Sequence, residues 1–166
     1  ELFGSEEHLI RYDMSEFSEK HAVSKWIGAP PGYVGFDEGT TLGEKLRKNP
    51  RAVLLLDEID RAAPEVLSLL LEMTDEGRLT EANGKNASLC ETWIVMTANI
   101  GAEDRKATEI RGFSAPSSKS QKDIRNECRR YFPAEFLSRI DEILAFEPLS
   151  EEALTEIAHK KLSELE

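Results

Sequence analysis

Cysteine is scarce in this sequence. The two cysteines, Cys90 and Cys128, stand far apart, and neither belongs to a CxxC pair or has a histidine-rich neighbourhood. This spacing argues against a disulfide framework and against a zinc site, because both require clustered side chains. The default compartment for such a chain is a reducing one, and we expect a cytoplasmic protein.

Long apolar runs are also missing. None approaches the roughly 20 residues that a helix needs to span a bilayer. The chain does not open with a charged stretch followed by an apolar one, as a secretory leader would. It begins at Glu1 rather than at a methionine, and we expect it to be a piece of a longer protein.

Positive charge is in short supply. Among 166 residues, 32 acidic side chains outnumber 21 basic ones, which gives a formal net charge of -11. This balance argues against non-specific affinity for nucleic acid or an anionic membrane, and we predict neither as a partner. The length suits one domain, and 40% hydrophobic residues are enough for a core.

Three short apolar runs predict buried strands. They lie at residues 52–59, 92–100 and 142–149, and a weaker run lies at 8–14. Their hydrophobicity is continuous rather than alternating, which is typical of a parallel sheet covered on both faces.

Helical patterns lie between these runs. Residues 63–75 have Pro64 in the first turn and leucines on one face, and residues 38–48 and 119–131 predict further helices. Ser150 is a good N-cap for an amphipathic helix that follows it. Strands alternating with helices predict an α/β fold.

The segment VLLLDEID places two carboxylates directly after a buried strand. In open α/β sheets, ligands bind at the carboxyl ends of the strands. Adjacent side chains of a strand point to opposite sides, so we expect Asp57 and Glu58 to have different tasks. One could hold Mg²⁺ through water while the other orients or deprotonates an attacking water. The alternative is that strands often end in acids because the loops after them are polar.

A second strand, TWIVMTAN, also ends in polar residues, Thr97 and Asn99. An amide at this place can hydrogen-bond a terminal phosphate or the attacking water. A lone asparagine at a strand end is also a common turn residue. A site that binds and cleaves a phosphate group explains together why one strand ends in Asp-Glu and the other in Asn.

Several motifs, taken in order, resemble the second ATPase module of the Clp-type AAA+ protein unfoldases and disaggregases, the group that includes ClpA, ClpB, ClpC and ClpE. They are DMSEF, EKHAVSKWIGAPPGYVGFDEG, VLLLDEID, DEGRLTE, MTANIG and FPAEFLSRIDEI, and they extend along the whole chain. The resemblance implies a P-loop-type α/β sandwich of three layers with a parallel sheet. It also implies ATP-driven unfolding and threading of polypeptides through a hexameric ring, in the bacterial cytosol or an organelle of bacterial origin.

The resemblance assigns roles to four residues. Asp57 and Glu58 match the Walker B pair, in which Asp57 holds Mg²⁺ through water and Glu58 polarises the hydrolytic water. Asn99 matches the sensor of the γ-phosphate of ATP. Arg139 matches the arginine finger that reaches the neighbouring subunit's nucleotide, a task that suits a planar, permanently charged guanidinium. Taken alone, Arg139 would be interpreted as part of a surface salt bridge. The implied cofactors are ATP and Mg²⁺.

The segment GAPPGYVG matches the family's pore loop, which lines the axial channel of the ring. The resemblance implies that Gly32, Tyr33, Val34 and Gly35 bind the threaded polypeptide. A tyrosine presents a flat, amphipathic face to an extended chain of almost any sequence. From the residues alone, an ordinary surface turn is the favoured interpretation of the same segment. Residues 80–88 fall where the family carries a second pore loop.

A phosphate-binding loop of the pattern GxxxxGK[ST] is not found in these residues. In the family, this loop and its strand lie immediately upstream of the point where this chain begins. We therefore expect an incomplete fold on the N-terminal side, with residues 1–148 as part of the large subdomain and residues 149–166 as the first helix of the C-terminal lid. We expect the isolated 166 residues to hydrolyse ATP negligibly and the full-length protein to be the ATPase.

The branch of the family is open. ClpA-like and ClpC-like members dock on a barrel peptidase through a tripeptide in the insertion after MTANIG. This tripeptide consists of a hydrophobic residue, a glycine and then Phe or Leu. Here Gly112 and Phe113 stand at that place, although Arg111 replaces the first apolar residue. Phe113 could enter a partner's pocket or pack on its own domain. A peptidase-linked unfoldase and a protease-independent disaggregase therefore both remain, as does a non-catalytic interaction module if no phosphate loop exists upstream.

Overall fold

Five strands are present in the computed structural model, which describes residues 6–29, 40–100, 121–146 and 149–164. They are β1 (Leu9–Asp13), β2 (Val53–Asp57), β3 (Arg78–Thr80), β4 (Asn86–Ser88) and β5 (Trp93–Met96). Strands β1, β2 and β5 form a parallel sheet in the order β1-β2-β5, and β3 and β4 form a separate antiparallel pair. The predicted α/β fold with a parallel sheet is confirmed.

Six α-helices accompany the strands in the described ranges. They are α1 (Ser24–Ile27), α2 (Leu42–Lys48), α3 (Pro64–Glu76), α4 (Gln121–Cys128), α5 (Ala134–Ser138) and α6 (Glu151–Ser163). Short 3-10 turns cover Glu6–His8, Met14–Phe17, Lys20–Val23 and Ile59–Arg61. The helices predicted from the sequence correspond to α2, α3, α4 and α6, and the parts of those predictions at 38–39 and 119–120 lie outside the described residues.

The helix ends follow local chemistry. Helix α3 has Pro64 in its first turn, where no backbone donor is lost, and it ends at Gly77, which adopts a left-handed conformation with φ 65°. The hydroxyl of Ser150 accepts a hydrogen bond of 3.2 Å from the N–H of Ala153, as its predicted capping role requires.

The core lies against one face of the sheet. Alternate residues of β1 and β2 are buried there, and helices α2 and α3 supply the opposing side chains. The largest fully buried side chains are those of Met14, Phe17, Trp26, Leu42, Leu46, Leu54, Leu56, Val66, Leu70, Met73 and Leu79. This packing fixes the plane of the sheet and therefore the positions of the strand ends.

Within the described part of the chain, the core covers one face of the sheet and residues of the other face are exposed. On the second face, Leu9, Trp93 and Val95 are 48%, 58% and 43% exposed. A run of apolar residues indicates that a strand can be buried, but it does not identify an element that covers each face.

The predicted strand at 142–149 is wrong over the residues that are described there, 142–146 and 149. They form no strand, and Leu144, Phe146 and Leu149 are exposed. An extended segment becomes a strand only when a neighbour accepts and donates its backbone hydrogen bonds. No described strand runs beside this segment.

None of the described helices combines the length and the apolar character that crossing a membrane would demand.

Candidate functional site at the sheet edge

The carboxyl ends of β1, β2 and β5 meet at one edge of the sheet and carry polar residues. Strand β1 ends at Asp13, β2 ends at Asp57, and Thr97 directly follows β5. Asp13 and Asp57 are register partners, and the N–H of Thr97 donates to the carbonyl of Leu56 at 3.0 Å. Because ligands bind at this edge in open parallel sheets, we take it as the candidate site.

Asp57 accepts short hydrogen bonds from both neighbouring strands. The hydroxyl of Thr97 donates to Oδ1 at 2.5 Å, and Nη2 of Arg11 lies 2.5 Å from Oδ2. The bond from Thr97, and after it the bond from Arg11, lowers the pKa of Asp57 below its ordinary value of 3.8, since both stabilise the charged form. Asp57 is therefore an anion at neutral pH, which is the state that binds a cation.

Asp13 has a different task from Asp57. Its carboxylate accepts bonds from the N–H and the hydroxyl of Ser15, at 2.9 and 2.6 Å, and caps the turn Met14–Phe17. These bonds lower the pKa of Asp13 as well. Asp13 is thus engaged with its own loop.

Glu58 begins a sharp turn at the end of β2. Its φ is 55°, and it is the one non-glycine residue with a positive φ in the described ranges. Its N–H donates to the hydroxyl of Thr97 at 3.1 Å, and its carboxylate lies 3.0 Å from Nη1 of Arg61. The sequence predicted that Asp57 and Glu58 point to opposite sides of a strand. Instead, the strand ends at Asp57 and the left-handed turn re-directs Glu58.

Asn99 lies at the same edge. Its backbone N–H donates to Oδ1 of Asp60 at 3.2 Å, and the N–H of Ile59 donates to the carbonyl of Thr97 at 2.9 Å. These bonds hold the turn after β2 against the segment after β5. The structure therefore brings Asp57, Glu58 and Asn99 to one edge.

Arg139 lies elsewhere in the chain. It follows α5, and its Nε is 2.5 Å from Oδ1 of Asp75 near the end of α3. Asp75 is about 16 Å along the helix from Pro64, which is the end of α3 nearer to Glu58, at a rise of about 1.5 Å per residue. The structure does not bring Arg139 to the sheet edge of its own chain.

Six predicted site residues lie outside the described residues: Gly32, Tyr33, Val34, Gly35, Gly112 and Phe113. The predicted second pore loop at 80–88 is described, and it comprises the last residue of β3, the turn 81–85 and the whole of β4. In this turn the N–H of Glu81 donates to the carbonyl of Lys85 at 2.8 Å, and Gly84 has φ 80°.

Sequence reasoning missed Arg11, the cation that contacts Asp57. The weaker run at 8–14 contained the signal. In a strand with one buried face, Arg11 alternates with buried Ile10 and therefore shares the other face with Asp13, two positions along. Asp57 is the register partner of Asp13 on the neighbouring strand, so it lies on the same face as Arg11. The register itself was not available from the sequence.

The described residues contain no group of three or more His, Cys, Asp and Glu side chains that could hold a metal by themselves. The donor set instead offers the single anionic carboxylate of Asp57. Such a set fits Mg²⁺, which usually keeps several waters and takes one or two carboxylates together with phosphate oxygens.

Residues 1–143 match the AAA domain (Cdc48 subfamily), and the chain therefore belongs to the AAA family. This is a family of nucleotide-binding ATPases, and the fold predicted from the resemblance is confirmed.

Among its relatives, the chain is 45% identical over 161 residues to the negative regulator of genetic competence ClpC/MecB of Bacillus subtilis (strain 168), covering 94% of this chain and 20% of that protein. It is 46% identical over 168 residues to the chaperone protein ClpB of Bacillus anthracis, covering 99% of this chain and 19% of that protein. The resemblance to Clp-type proteins is confirmed.

A solved structure of Hsp104 with ATPγS and FITC-casein, a closed-state cryo-EM reconstruction, is also similar. It has a TM-score of 0.80 and 40% identity, over 99% of this chain and 28% of that one. The chain thus spans about a fifth of the length of the curated relatives it matches.

Proposed function

We propose that this chain is part of a Clp-type ATPase in which hydrolysis of ATP drives the unfolding and threading of polypeptides through a hexameric ring. The observation that carries the proposal is the common edge at which Asp57, Glu58 and Asn99 follow two neighbouring parallel strands. Similarity to ClpB, ClpC and the Hsp104 structure with ATPγS and casein supports it.

At this edge, Asp57 holds Mg²⁺ through water. When bound, Mg²⁺ neutralises the charge of the phosphate oxygens. The low pKa of Asp57 supports the role, because the carboxylate is charged at every physiological pH. Arg11 and Thr97 keep its two oxygens oriented.

Glu58 orients and polarises the attacking water, and Asn99 contacts the γ-phosphate. The left-handed turn at Glu58 supports this division, because it separates the second carboxylate from the line of the strand. Strained backbone at such a position costs on the order of 1–3 kcal/mol and is typical of functional sites.

Arg139 serves the nucleotide of a neighbouring subunit. Its position at the far end of α3, away from the carboxylates of its own chain, supports a role in trans. Activity then requires assembly of the ring.

For the regions outside the described residues, we propose that Gly32, Tyr33, Val34 and Gly35 bind the threaded polypeptide. We propose also that residues 1–148 are part of the large subdomain and that 149–166 begin the lid. A cytoplasmic location without nucleic-acid or membrane partners accords with the charge balance.

A barrel peptidase as partner, docked through Gly112 and Phe113, remains the finer proposal. The alternative is a protease-independent disaggregase. Relatives named as an ATP-binding subunit of the Clp protease and as a chaperone protein occur at similar identity, 42% and 46%. Capture of the peptidase by the full-length protein, lost in Phe113→Ala, would favour the first. If neither the wild type nor Phe113→Ala captures the peptidase, the disaggregase is favoured.

The proposal is tested by Glu58→Gln in the full-length protein. We expect the ATPase rate to fall by about 100-fold or more, because the general base is lost, while ATP binding persists. The matched control is Glu65→Gln, which neutralises a partly exposed acid in the first turn of α3 that pairs with Lys20. A wild-type rate in Glu58→Gln would remove Glu58 from the reaction.

A further inference from the structure

The second carboxylate of the sheet edge is paired with a cation from its own turn. Nη1 of Arg61 lies 3.0 Å from Oε2 of Glu58, and the two side chains are 57% and 31% exposed. The reaction proposed above makes no use of Arg61. An exposed ion pair contributes little to the stability of a fold, because water competes for both charges. Stability alone therefore does not account for an arginine at this place.

Backbone hydrogen bonds fix Arg61 relative to Glu58. The N–H of Arg61 donates to the carbonyl of Glu58 at 2.9 Å, which is the i to i+3 bond of a 3-10 turn and brings side chains three positions apart to one side. The turn is also bound to the end of the neighbouring strand. The N–H of Ile59 donates to the carbonyl of Thr97 at 2.9 Å, and the N–H of Glu58 donates to its hydroxyl at 3.1 Å. The guanidinium thus extends from a backbone that the sheet holds in place.

The two oxygens of the Glu58 carboxylate are used differently. Oε2 contacts Arg61, whereas Oε1 has no hydrogen-bond partner among the described residues. In Asp57, by contrast, both oxygens accept bonds, one from Thr97 and one from Arg11. A carboxylate that takes a proton from water needs one oxygen directed at that water and a second group that sets its orientation. The contact with Arg61 supplies the orienting group and leaves the other oxygen available.

Arg61 also reduces the repulsion among the carboxylates of this edge. Asp13 and Asp57 are register partners, and Glu58 directly follows Asp57. The bonds from Ser15 are the main cause of the lowered pKa of Asp13. The charge of Arg61 lowers this pKa further, whereas the charge of Asp57 raises it. The guanidinium therefore acts on more than one acid, and its removal would leave Glu58 beside like charges without a counter-ion.

We infer that Arg61 is a positioning residue for the activation of water: its guanidinium holds Oε2 of Glu58 so that Oε1 faces the attacking water. The inference rests on the proposed function, because that function makes Glu58 the group that polarises the water. Arg61 acts through Glu58 and touches neither the water nor the nucleotide. A displacement of about 1 Å at a reacting group lowers a rate by up to about 100-fold, so orientation of this carboxylate has a measurable effect.

The test measures ATP hydrolysis by the full-length protein. In Arg61→Gln we expect kcat to fall about tenfold and the KM for ATP to change less than twofold, because the base is displaced while the contacts to the nucleotide remain. Arg61→Lys should recover kcat to within about threefold of the wild type, since an ammonium can make a single contact with one oxygen. The matched control is Arg51→Gln, which breaks an exposed pair with Glu91 near the other end of β2. Its kcat should equal that of the wild type.

A double-variant cycle separates positioning from other roles. The rate of Glu58→Gln/Arg61→Gln should lie within about twofold of that of Glu58→Gln alone, because Arg61 then has no base to orient. Binding provides a readout that does not depend on turnover. ADP with fluoroaluminate imitates the transition state, in which the attacking water is ordered. Its Kd should rise about fivefold in Arg61→Gln, while the Kd of ATPγS stays within about twofold.

A wild-type kcat in Arg61→Gln would overturn the inference, as would a further tenfold loss when Arg61→Gln is added to Glu58→Gln. A weaker Kd for ATPγS would also overturn it, because Arg61 would then bind the nucleotide itself. A lowered melting temperature together with a low kcat that Arg61→Lys does not restore would show a structural role instead. Failure of the proposed function is a separate result: Glu58→Gln would then hydrolyse ATP at the wild-type rate, and the inference would be rejected with it.

Discussion

At the scale of the residue, Thr97 has the widest influence on the sheet edge. Its hydroxyl donates to Asp57 and accepts from the N–H of Glu58, while its carbonyl accepts from the N–H of Ile59. One side chain therefore fixes both the charge state of the first carboxylate and the turn that carries the second. The sequence indicated only that Thr97 is polar.

We expect Thr97→Val to raise the pKa of Asp57 toward its ordinary value of 3.8, because the bond from Thr97 is the largest cause of the lowered value. The ¹³C NMR titration of the Asp57 carboxyl measures this directly. The matched control is Thr92→Val at the other end of β5, where the hydroxyl donates to the carbonyl of Pro50 instead. An identical titration of Asp57 in Thr97→Val would contradict the assignment.

The same substitution affects acid stability with a definite sign. A folded-state pKa below the unfolded one means that ionised Asp57 stabilises the fold above pH 3.8, and that this contribution is lost as the pH falls through the lower folded value. The free energy of unfolding at neutral pH should therefore be higher for the wild type than for Thr97→Val. The part of the difference due to Asp57 should vanish once the carboxylate is protonated in both.

At the scale of the element, α3 connects the candidate site to the core. It begins at Pro64, three residues after the 3-10 turn Ile59–Arg61 ends. It buries Val66, Leu70 and Met73. These spacings of four and three residues place the side chains on one face. Movement of α3 would therefore be transmitted to the turn that holds Glu58.

Leu70→Ala should lower the free energy of unfolding by about 2–5 kcal/mol, the range for removing a buried leucine and leaving a cavity. Leu71→Ala is the control on the same helix, since Leu71 is only partly buried and should cost clearly less. Urea unfolding followed by circular dichroism measures both variants. Equal losses would show that Leu70 is not the deeper contact.

Local patterns predicted the elements whose causes are local. The helix after Pro64, the cap at Ser150 and the strand before Asp57 each depend on neighbours in sequence, and each was predicted close to its observed bounds. The shared edge of Asp57 and Asn99 was predicted because parallel strands end together.

Features that depend on distant neighbours could not be predicted. The pairing of Arg11 with Asp57 depends on the register of β1 against β2, and the burial of Glu81 depends on where the turn after β3 meets α2. The predicted strand at 142–149 failed for the same reason, since its apolar composition does not supply a hydrogen-bonding neighbour.

At the scale of the whole molecule, the separation of Arg139 from the carboxylates of its own chain predicts dependence on assembly. Arg139→Ala in the full-length protein should reduce ATP hydrolysis by about 10³-fold or more and spare ATP binding, as loss of an arginine finger does. Steady-state turnover and nucleotide titration of the ring measure the two effects.

Asp75→Asn is the matched control for Arg139→Ala. It removes the ion pair within the chain and keeps the guanidinium; because both side chains are substantially exposed, the pair contributes at most about 1 kcal/mol. We expect near-wild-type hydrolysis. If Asp75→Asn is as inactive as Arg139→Ala, then Arg139 acts through α3 and not across a subunit boundary.

The two bonds that orient Asp57 join it to residues 46 and 40 positions away along the chain. Contacts of such sequence separation form only after long loops close, which makes them slow to appear during folding. As the chain leaves the ribosome, Asp57 emerges before Thr97. The carboxylate of Asp57 therefore lacks the hydrogen bond from Thr97 until β5 has been synthesised and has paired with β2. The proposed Mg²⁺ ligand is consequently oriented only when β1, β2 and β5 have paired, so under the proposed function a half-made chain has no ordered site for nucleotide.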